Sequence, residues 1–469
     1  MSWSTGRPTD KVRTVGSAAA DSRMRSEAPH ESAADQRRVL ILDDDPTGTQ
    51  TASDVDVMLK IGEAEFDAFF ASAQRCIYIL TNSRSLNSED AVSLLEQIRR
   101  QARAAATRSG ESVAFILRGD STLRGHVFDE VAVFSTDDSV TLLVPAYPDA
   151  GRVTLDGVHY MTVHGRRIPV ARTEFARDPV FGYRSIRMVD WVAEVGGGTN
   201  ASCVPLADLR HGGAAGLASL LLAAPAGAVL IPDVETDSDL AVIVDGLLRA
   251  EARGRDVVVR SAAPLASMRT GLAPRRIDPY EVEAGSSILV VCGSHTRSST
   301  RQLSLVGEAT GAEPIVVPSR LIDDPNPQPA LEHIATQVLA SLEQNPVTIL
   351  ATQRLRRREH QTLPAAARMM HGLVSIAARV KTEASAVVCK GGITSAAIAK
   401  EGFGATTARV LGQVADGVAI WELPLQERTI PYIVVPGNIG DDDTLADLIT
   451  GLMPSGAALP TEDADLHLR

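Results

Sequence analysis

Residues 39–51 read Val-Leu-Ile-Leu-Asp-Asp-Asp-Pro-Thr-Gly-Thr-Gln-Thr. The run Val39 to Leu42 is short and apolar, the pattern of a strand buried on both faces in a parallel sheet. Asp43, Asp44 and Asp45 follow at once, then Pro46, Thr47 and Gly48, a turn signal. In open α/β sheets the C-terminal ends of the strands are where ligands bind. Three adjacent carboxylates repel one another, so a fold tolerates them best beside a cation or hydrogen-bond donors. The competing reading is an exposed acidic turn, since Asp, Pro and Gly also favour turns on their own account.

The same grammar recurs downstream. Strand-like runs at 39–42, 76–80, 113–117, 140–144, 228–231 and 256–259 alternate with helical text, clearest at 88–105 with Ser88 as N-cap. Polar residues cluster after several of these runs: Arg84 in Thr-Asn-Ser-Arg-Ser, then Asp120, Ser121, Thr122, Leu123 and Arg124, then Arg152 after Gly151. With parallel strands, Asp43–Asp45, Arg84, Asp120, Ser121, Arg124 and Arg152 share one rim. Guanidinium forks suit a carboxylate, and Asp and Ser suit sugar hydroxyls. Residues 153–200 read as an excursion, either a lid or a subunit contact, so a homodimer is open. His159 within it reads as structural.

A second alternation begins at Ser287, with strands expected at 288–292, 314–317, 347–351, 386–389, 407–411, 418–422 and 432–435. Helices are expected at 297–309, 327–343, 363–382, 395–401 and 443–452. Glycine turns follow three of the strands: Gly293-Ser294, Lys390-Gly391-Gly392-Ile393-Thr394-Ser395, and Pro436-Gly437-Asn438-Ile439-Gly440. Glycine lets the backbone approach a ligand, and a helix start offers free N–H groups to phosphate. No GxxxxGK[ST] or GxGxxG is present, so the nucleotide site they suggest is neither a P-loop nor a dinucleotide fold.

Together these segments predict two α/β domains with mostly parallel sheets and an interdomain cleft. We expect a disordered tail at 1–37, a substrate domain at 38–265, a linker at 266–286, a nucleotide domain at 287–456 and a tail at 457–469. A formal charge of −12 argues against a general nucleic-acid binder. No apolar run reaches the ~20 residues of a membrane helix. Cys76, Cys203, Cys292 and Cys389 lack zinc spacing and fit a reducing, cytoplasmic setting.

Read in order, the motifs resemble the four-carbon acid sugar kinase family. The resemblance rests on residues 42–51, 80–85, 120–126, 151–152, 175–179, 293–296, 390–395 and 436–440, covering roughly 38–452. It implies an N-terminal acid-sugar domain, a C-terminal nucleotide domain, and phosphorylation of threonate, erythronate or a 3-oxo-tetronate by ATP. Substrate contacts would come from Asp44 or Asp45, Arg84 and the loop Asp120 to Arg124. Nucleotide contacts would come from Ser294, Gly391, Gly392, Ile393, Thr394, and Gly437 or Gly440. Asp45 is the expected base, with Asp44 beside it; Mg²⁺ would sit near 43–45 or 441–443. The chain departs from the family pattern at Thr352-Gln353-Arg354-Leu355, where Thr-Ser-Arg-Glu is expected. Two other classes remain open. One is a haloacid-dehalogenase-like phosphatase, with Asp43 as nucleophile and Asp45 as acid. The other is a non-catalytic sugar-acid sensor.

Overall fold

A computed structural model describes residues 37–163, 165–354, 362–426, 428–437 and 439–453. The expected tails, Asn438 and the basic run after Arg354 lie outside these residues.

The N-terminal lobe contains strands β1 (Arg38–Asp43), β2 (Val55–Met58), β3 (Cys76–Leu80), β4 (Val113–Arg118) and β5 (Val140–Val144). It continues with β6 (Arg152–Leu155), β7 (Val158–Val163), β8 (Arg166–Pro169), β9 (Ala201–Val204), β10 (Val229–Pro232) and β11 (Val257–Ser261). The C-terminal lobe contains β12 (Ile288–Cys292), β13 (Ile315–Val317), β14 (Val347–Thr352), β15 (Ala386–Lys390), β16 (Thr407–Ala415), β17 (Val418–Leu425) and β18 (Arg428–Val435).

Along β1 the side chains alternate. Leu40 and Leu42 pack with Phe66, Phe69, Leu95 and Ile98 on one face, while Val39 and Ile41 join the core on the other. Period-2 alternation with both faces apolar explains the continuous hydrophobic run. In β12, Ile288 and Val290 face the helices Arg297–Thr310 and Thr444–Leu452. Leu289 and Val291 face the helices Gln328–Gln344 and Leu363–Val380.

The lobes do not have separate sheets. One fifteen-stranded sheet runs β13-β14-β12-β15-β18-β17-β16-β2-β3-β1-β4-β11-β5-β10-β9. The join is an antiparallel pairing of β16 with β2, in which Thr407 to Val410 face Met58 to Val55. The antiparallel meander β16-β17-β18 reverses direction between two parallel blocks. Strand β2 escaped the sequence reading because Val55-Asp56-Val57-Met58 is short and carries a charge, and its pairing partner lies about 350 residues away. The excursion begins with β6-β7-β8, a separate antiparallel sheet.

Two expected boundaries shift. The N-cap of helix Ser88–Arg108 is Asn87, whose side chain accepts from Asp90 N at 2.9 Å, rather than Ser88. The helix expected at 395–401 starts at Gly392, three residues earlier. The helix Ala263–Thr270 runs across position 265, with Leu265 and Ala266 buried in the core.

A single apolar cluster contains Ile41 and Tyr78 of one lobe and Val291 and Trp421 of the other. With the sheet and this core both shared, the lobes should unfold in one cooperative transition. Differential scanning calorimetry checks this; two separable transitions would contradict it.

Candidate functional site

The Asp43–Asp45 turn is buried, its three residues between 1% and 3% exposed. The register explains how this is tolerated. Asp43, at the end of β1, lies opposite Arg118, at the end of β4. Arg118 Nη1 donates to Asp43 Oδ1 at 2.8 Å, Asp44 Oδ1 at 3.3 Å and Asp45 Oδ1 at 3.1 Å. Arg84 pairs with Asp45 and, at 3.3 Å, with Asp120. Arg260 pairs with Glu130 and stands 3.9 Å from Asp44. Burial would lower the Arg118 pKa, but Asp43 and Asp44 outweigh it and hold the guanidinium charged. Burial pushes Asp43 up to about 7, against the pull of Arg118. One oxygen each of Asp43 and Asp44 is buried without a hydrogen-bond partner among the described residues.

The loop after β4 carries most of the rest of the expected rim. Arg124 Nε donates to Asp120 Oδ2 at 2.7 Å and to Thr122 Oγ1 at 3.0 Å. Burial raises the Asp120 pKa, yet Arg124 and Arg84 overcome it and hold the carboxyl well below its usual range. Arg152 is buried, its Nη1 donating to Ala150 O at 3.2 Å, and it makes no ion pair among the described residues. Burial lowers its pKa. Ser121 and Thr122 are buried in the same loop. The side chain of Leu123 instead joins an apolar cluster with Val127 and Trp191, so this position faces the core. The excursion lies directly on the loop. Asp178 is 3.5 Å from Arg124, the Phe175 ring is 5.0 Å from its guanidinium, and Tyr183 OH donates to Thr122 O at 2.9 Å.

In the second lobe, three strand-end turns converge. Thr296 Oγ1 donates to Gly437 O at 3.0 Å, and Ser299 Oγ donates to Ser294 Oγ at 2.8 Å. Gly391, at φ +111°, is in a conformation that favours glycine; a Cβ there would lie 3.2 Å from Ser294 Cβ and 3.3 Å from Thr394 Oγ1. Ile393 on this turn is 39% exposed. Gln302 Nε2 donates to Gly440 O at 3.3 Å and Asp441 O at 2.7 Å. Lys390, fully buried, donates to Pro436 O at 2.7 Å, and burial lowers its pKa to about 8. Arg354 donates to Ser294 O at 2.6 Å and Cys292 O at 3.2 Å, so the departure from the expected Thr-Ser-Arg-Glu still supplies a brace for this turn.

The two halves meet. A Cβ on Gly392 would lie 3.0 Å from the Asp45 carboxyl and 3.2 Å from Thr47 Cγ2. Trp421 of β17 donates to Thr49 Oγ1 at 2.9 Å, fixing the opening turn against the second lobe. The acid-lined rim and the glycine turns therefore face one another across the junction.

Sequence reasoning missed Arg118, Glu130, Arg260, Lys390 and Gln302. The available signal was a charged residue inside or ending a strand otherwise apolar, as in Phe-Ile-Leu-Arg at 115–118 and Val-Val-Val-Arg at 257–260.

Such a site, with buried acids and arginines facing glycine turns, sits at the junction of a two-domain α/β protein. Models of a sugar-binding N-terminal domain and a nucleotide-binding C-terminal domain match residues 39–269 and 289–445. The chain belongs to the family that joins these two domains, the four-carbon acid sugar kinases. It is 30% identical over 277 residues to a D-erythronate kinase of Heliobacterium modesticaldum, covering 58% of this chain and 59% of that protein. It is 29% identical over 210 residues to a D-threonate kinase of Cupriavidus necator, covering 43% and 48%. The aligned regions thus span about half the length of these two relatives. A D-threonate kinase of Bordetella bronchiseptica is 27% identical over 381 residues, covering 78% and 84%. The fold is also that of solved proteins from Salmonella typhimurium (TM-score 0.62, 15% identity, covering 88% of this chain and 98% of that one) and Haemophilus influenzae (0.58, 16%, 89% and 100%).

His159 has a structural part in the site. It is buried, with Nε2 2.9 Å from Ser121 O and Nδ1 2.9 Å from Thr154 Oγ1. Burial lowers its pKa to about 4, below the unfolded value of 6.5. Between these values the unfolded chain binds more protons, so this contribution is full above pH 6.5 and is lost as pH falls toward 4. His159→Asn should flatten the rise in thermal midpoint between pH 4 and pH 6.5 relative to wild type. Equal slopes in the two proteins would contradict the assignment.

Proposed function

We propose that this protein is an ATP-dependent kinase that phosphorylates a hydroxyl of a four-carbon sugar acid of the threonate, erythronate or 3-oxo-tetronate type. The observation that carries the reading is the approach of Asp45 to Gly392, which sets a buried carboxylate against the turn suited to a nucleotide's phosphates. The names of the relatives support the same chemistry.

Phosphoryl transfer is mostly positioning and charge neutralisation. Ser294, the turn Gly391 to Thr394, and Gly437 with Gly440 would cradle the phosphates; the close-set glycines leave room that side chains would fill. ATP bound with Mg²⁺ supplies the phosphoryl group and offsets its charge. The donor chemistry fits a hard cation: among the described residues Asp43 and Asp44 each have an oxygen that accepts no hydrogen bond, next to the same turn. Asp441, Asp442 and Asp443, which are exposed, are the second candidate ligands. On the sugar side, Arg152 is a buried cation in need of an anion, and Arg124 and Arg84 complete a carboxylate site. Asp120, held ionised, accepts from a sugar hydroxyl. Asp45 orients and deprotonates the acceptor hydroxyl, with Asp44 next to it. The excursion against Arg124 shields the acid from water, the competing acceptor.

A phosphatase using Asp43 as nucleophile fits less well, because Asp43 is 1% exposed and engaged by Arg118. A sensor would not need the second lobe's braced turns. All four cysteines are free, in keeping with a cytoplasmic enzyme. No helix among the described residues is long and apolar enough to cross a membrane.

A coupled ADP-release assay over threonate, erythronate and their 2- and 3-oxo relatives tests the activity. No acid-dependent turnover with any of them would sink the proposal. Asp45→Asn should lower kcat by about 10²–10⁴-fold while ATP binding persists; full activity in this variant would remove Asp45 from its role. Arg152→Met should raise KM for the acid by about 10–100-fold, the worth of a charge-assisted hydrogen bond, and leave KM for ATP unchanged. A matching rise for both substrates would point instead to a collapsed site.

A further inference from the structure

Glu130 is a buried carboxylate that no step above uses. It lies in the helix Val127–Phe134, which follows the loop after β4. This helix covers one face of the first lobe's sheet, where Val131, Val133 and Phe134 pack with Leu42, Leu117 and Val258. The two oxygens of Glu130 have different partners. Ser83 Oγ donates to Oε1 at 2.6 Å, and Arg260 Nη1 pairs with Oε2. Ser83 and Arg260 are buried too, so neither contact is readily exchanged for one with water.

The first contact bears on Arg84. Ser83 opens the turn Ser83–Ser85 after β3, and Arg84 within it reaches Asp45 and Asp120. The chain enters this turn through Asn82 at φ +49°, a left-handed conformation that residues with a Cβ adopt at some cost. The Glu130 bond ties the turn to a helix 47 residues further along the chain.

The second contact bears on the loop after β4. The register sets Arg260 opposite Leu117, and Leu117 opposite Leu42, so Arg260 projects from the face that the Glu130 helix covers. Arg118, one residue after Leu117, projects from the other face. The two arginines thus approach the acid turn from opposite sides, Arg260 Nη2 standing 3.9 Å from Asp44 Oδ2. Arg260 is also the floor of the loop. A Cβ on Gly119 would overlap its guanidinium, and one on Gly125 would lie 3.4 Å from Arg260 Nη2 and 3.4 Å from Asp44 Oδ2. Gly119 and Gly125 bracket the stretch Asp120 to Arg124. A guanidinium buried at such a place needs an anion beside it, and Glu130 supplies one.

We infer that Glu130 is a positioning residue for the transfer: one oxygen sets Arg84, through Ser83, against Asp45 and Asp120, and the other keeps Arg260 seated beneath the loop Gly119 to Gly125. The inference rests on the kinase reading and deepens it. Both contacts lie in the first lobe, so the effect falls on the sugar acid rather than on the nucleotide.

Steady-state ADP release, with whichever of threonate, erythronate and their oxo relatives wild type turns over fastest, tests it. Ser83→Ala removes one bond and leaves every charge in place. It should lower kcat/KM for the acid at least about tenfold, as loss of a buried hydrogen bond to a charged group does, while KM for ATP changes less than about twofold. In an Arg84→Met background the same change should cost less than about threefold, because the residue it acts through is gone. Glu130→Gln, which keeps the size but sets an uncharged amide against Arg260, should exceed the Ser83→Ala loss with the same split between substrates. If that variant does not fold, the two Ser83→Ala comparisons decide. An equal cost of Ser83→Ala in both backgrounds, or an equal rise in KM for acid and ATP, overturns the inference. An unchanged kcat/KM in Ser83→Ala does so as well, and wild-type turnover then leaves the kinase reading standing. If wild type turns over none of the acids, the kinase reading itself fails, and this inference with it.

Discussion

Three successive carboxylates can be buried here because one guanidinium reaches all of them. Unpaired charges away from water cost several kcal/mol each, and like charges side by side add to the cost. Arg118 offsets this from the end of the neighbouring strand, and Arg84 and Arg260 provide further positive charge nearby. Among the described residues, the arrangement leaves an oxygen of Asp43 and another of Asp44 without a hydrogen bond. Burial of this kind stabilises little, but it fixes the Asp45 carboxylate through Thr47 N at 2.8 Å and Arg118, the orientation the proposed kinase reading calls for. Positioning of that kind is what phosphoryl transfer requires of a protein.

The two lobes are held together by backbone hydrogen bonds as well as by the chain that connects them. Strand β2 of the first lobe adds to β16 of the second, and Trp421 reaches across to Thr49. The opening turn therefore belongs to both lobes at once: it ends a strand of one and packs on the meander of the other. This explains how Asp45 and Gly392, almost 350 residues apart in the chain, come so close that a Cβ on Gly392 would stand 3.0 Å from the Asp45 carboxyl.

Much of this architecture could be read from the sequence. Short apolar runs bounded by turns located β3, β5 and β12 to the residue, because a strand buried on both faces leaves a continuous hydrophobic signature. The glycine turns and the charged strand ends that the structure brings together were legible for a similar reason, since special backbone and charge requirements leave few residue types to choose from. Long-range effects were not legible. Strand β2 is defined by a distant partner rather than by its own pattern. Arg118 and Arg260 looked like ordinary strand ends until the register set Arg118 against Asp43 and the sheet brought the Arg260 side chain to 3.9 Å from Asp44.

The edge-to-edge joint carries a liability for any isolated half of the chain. Cutting between the lobes would uncover β2 on one piece and β16 on the other, each with a row of backbone donors and acceptors that match its lost neighbour. Such an edge is a template for whichever strand arrives first, including the same edge of another molecule. Carrying both lobes on one chain thus does more than tether them, since each edge meets its proper complement at high local concentration, ahead of any stranger in a crowded cell.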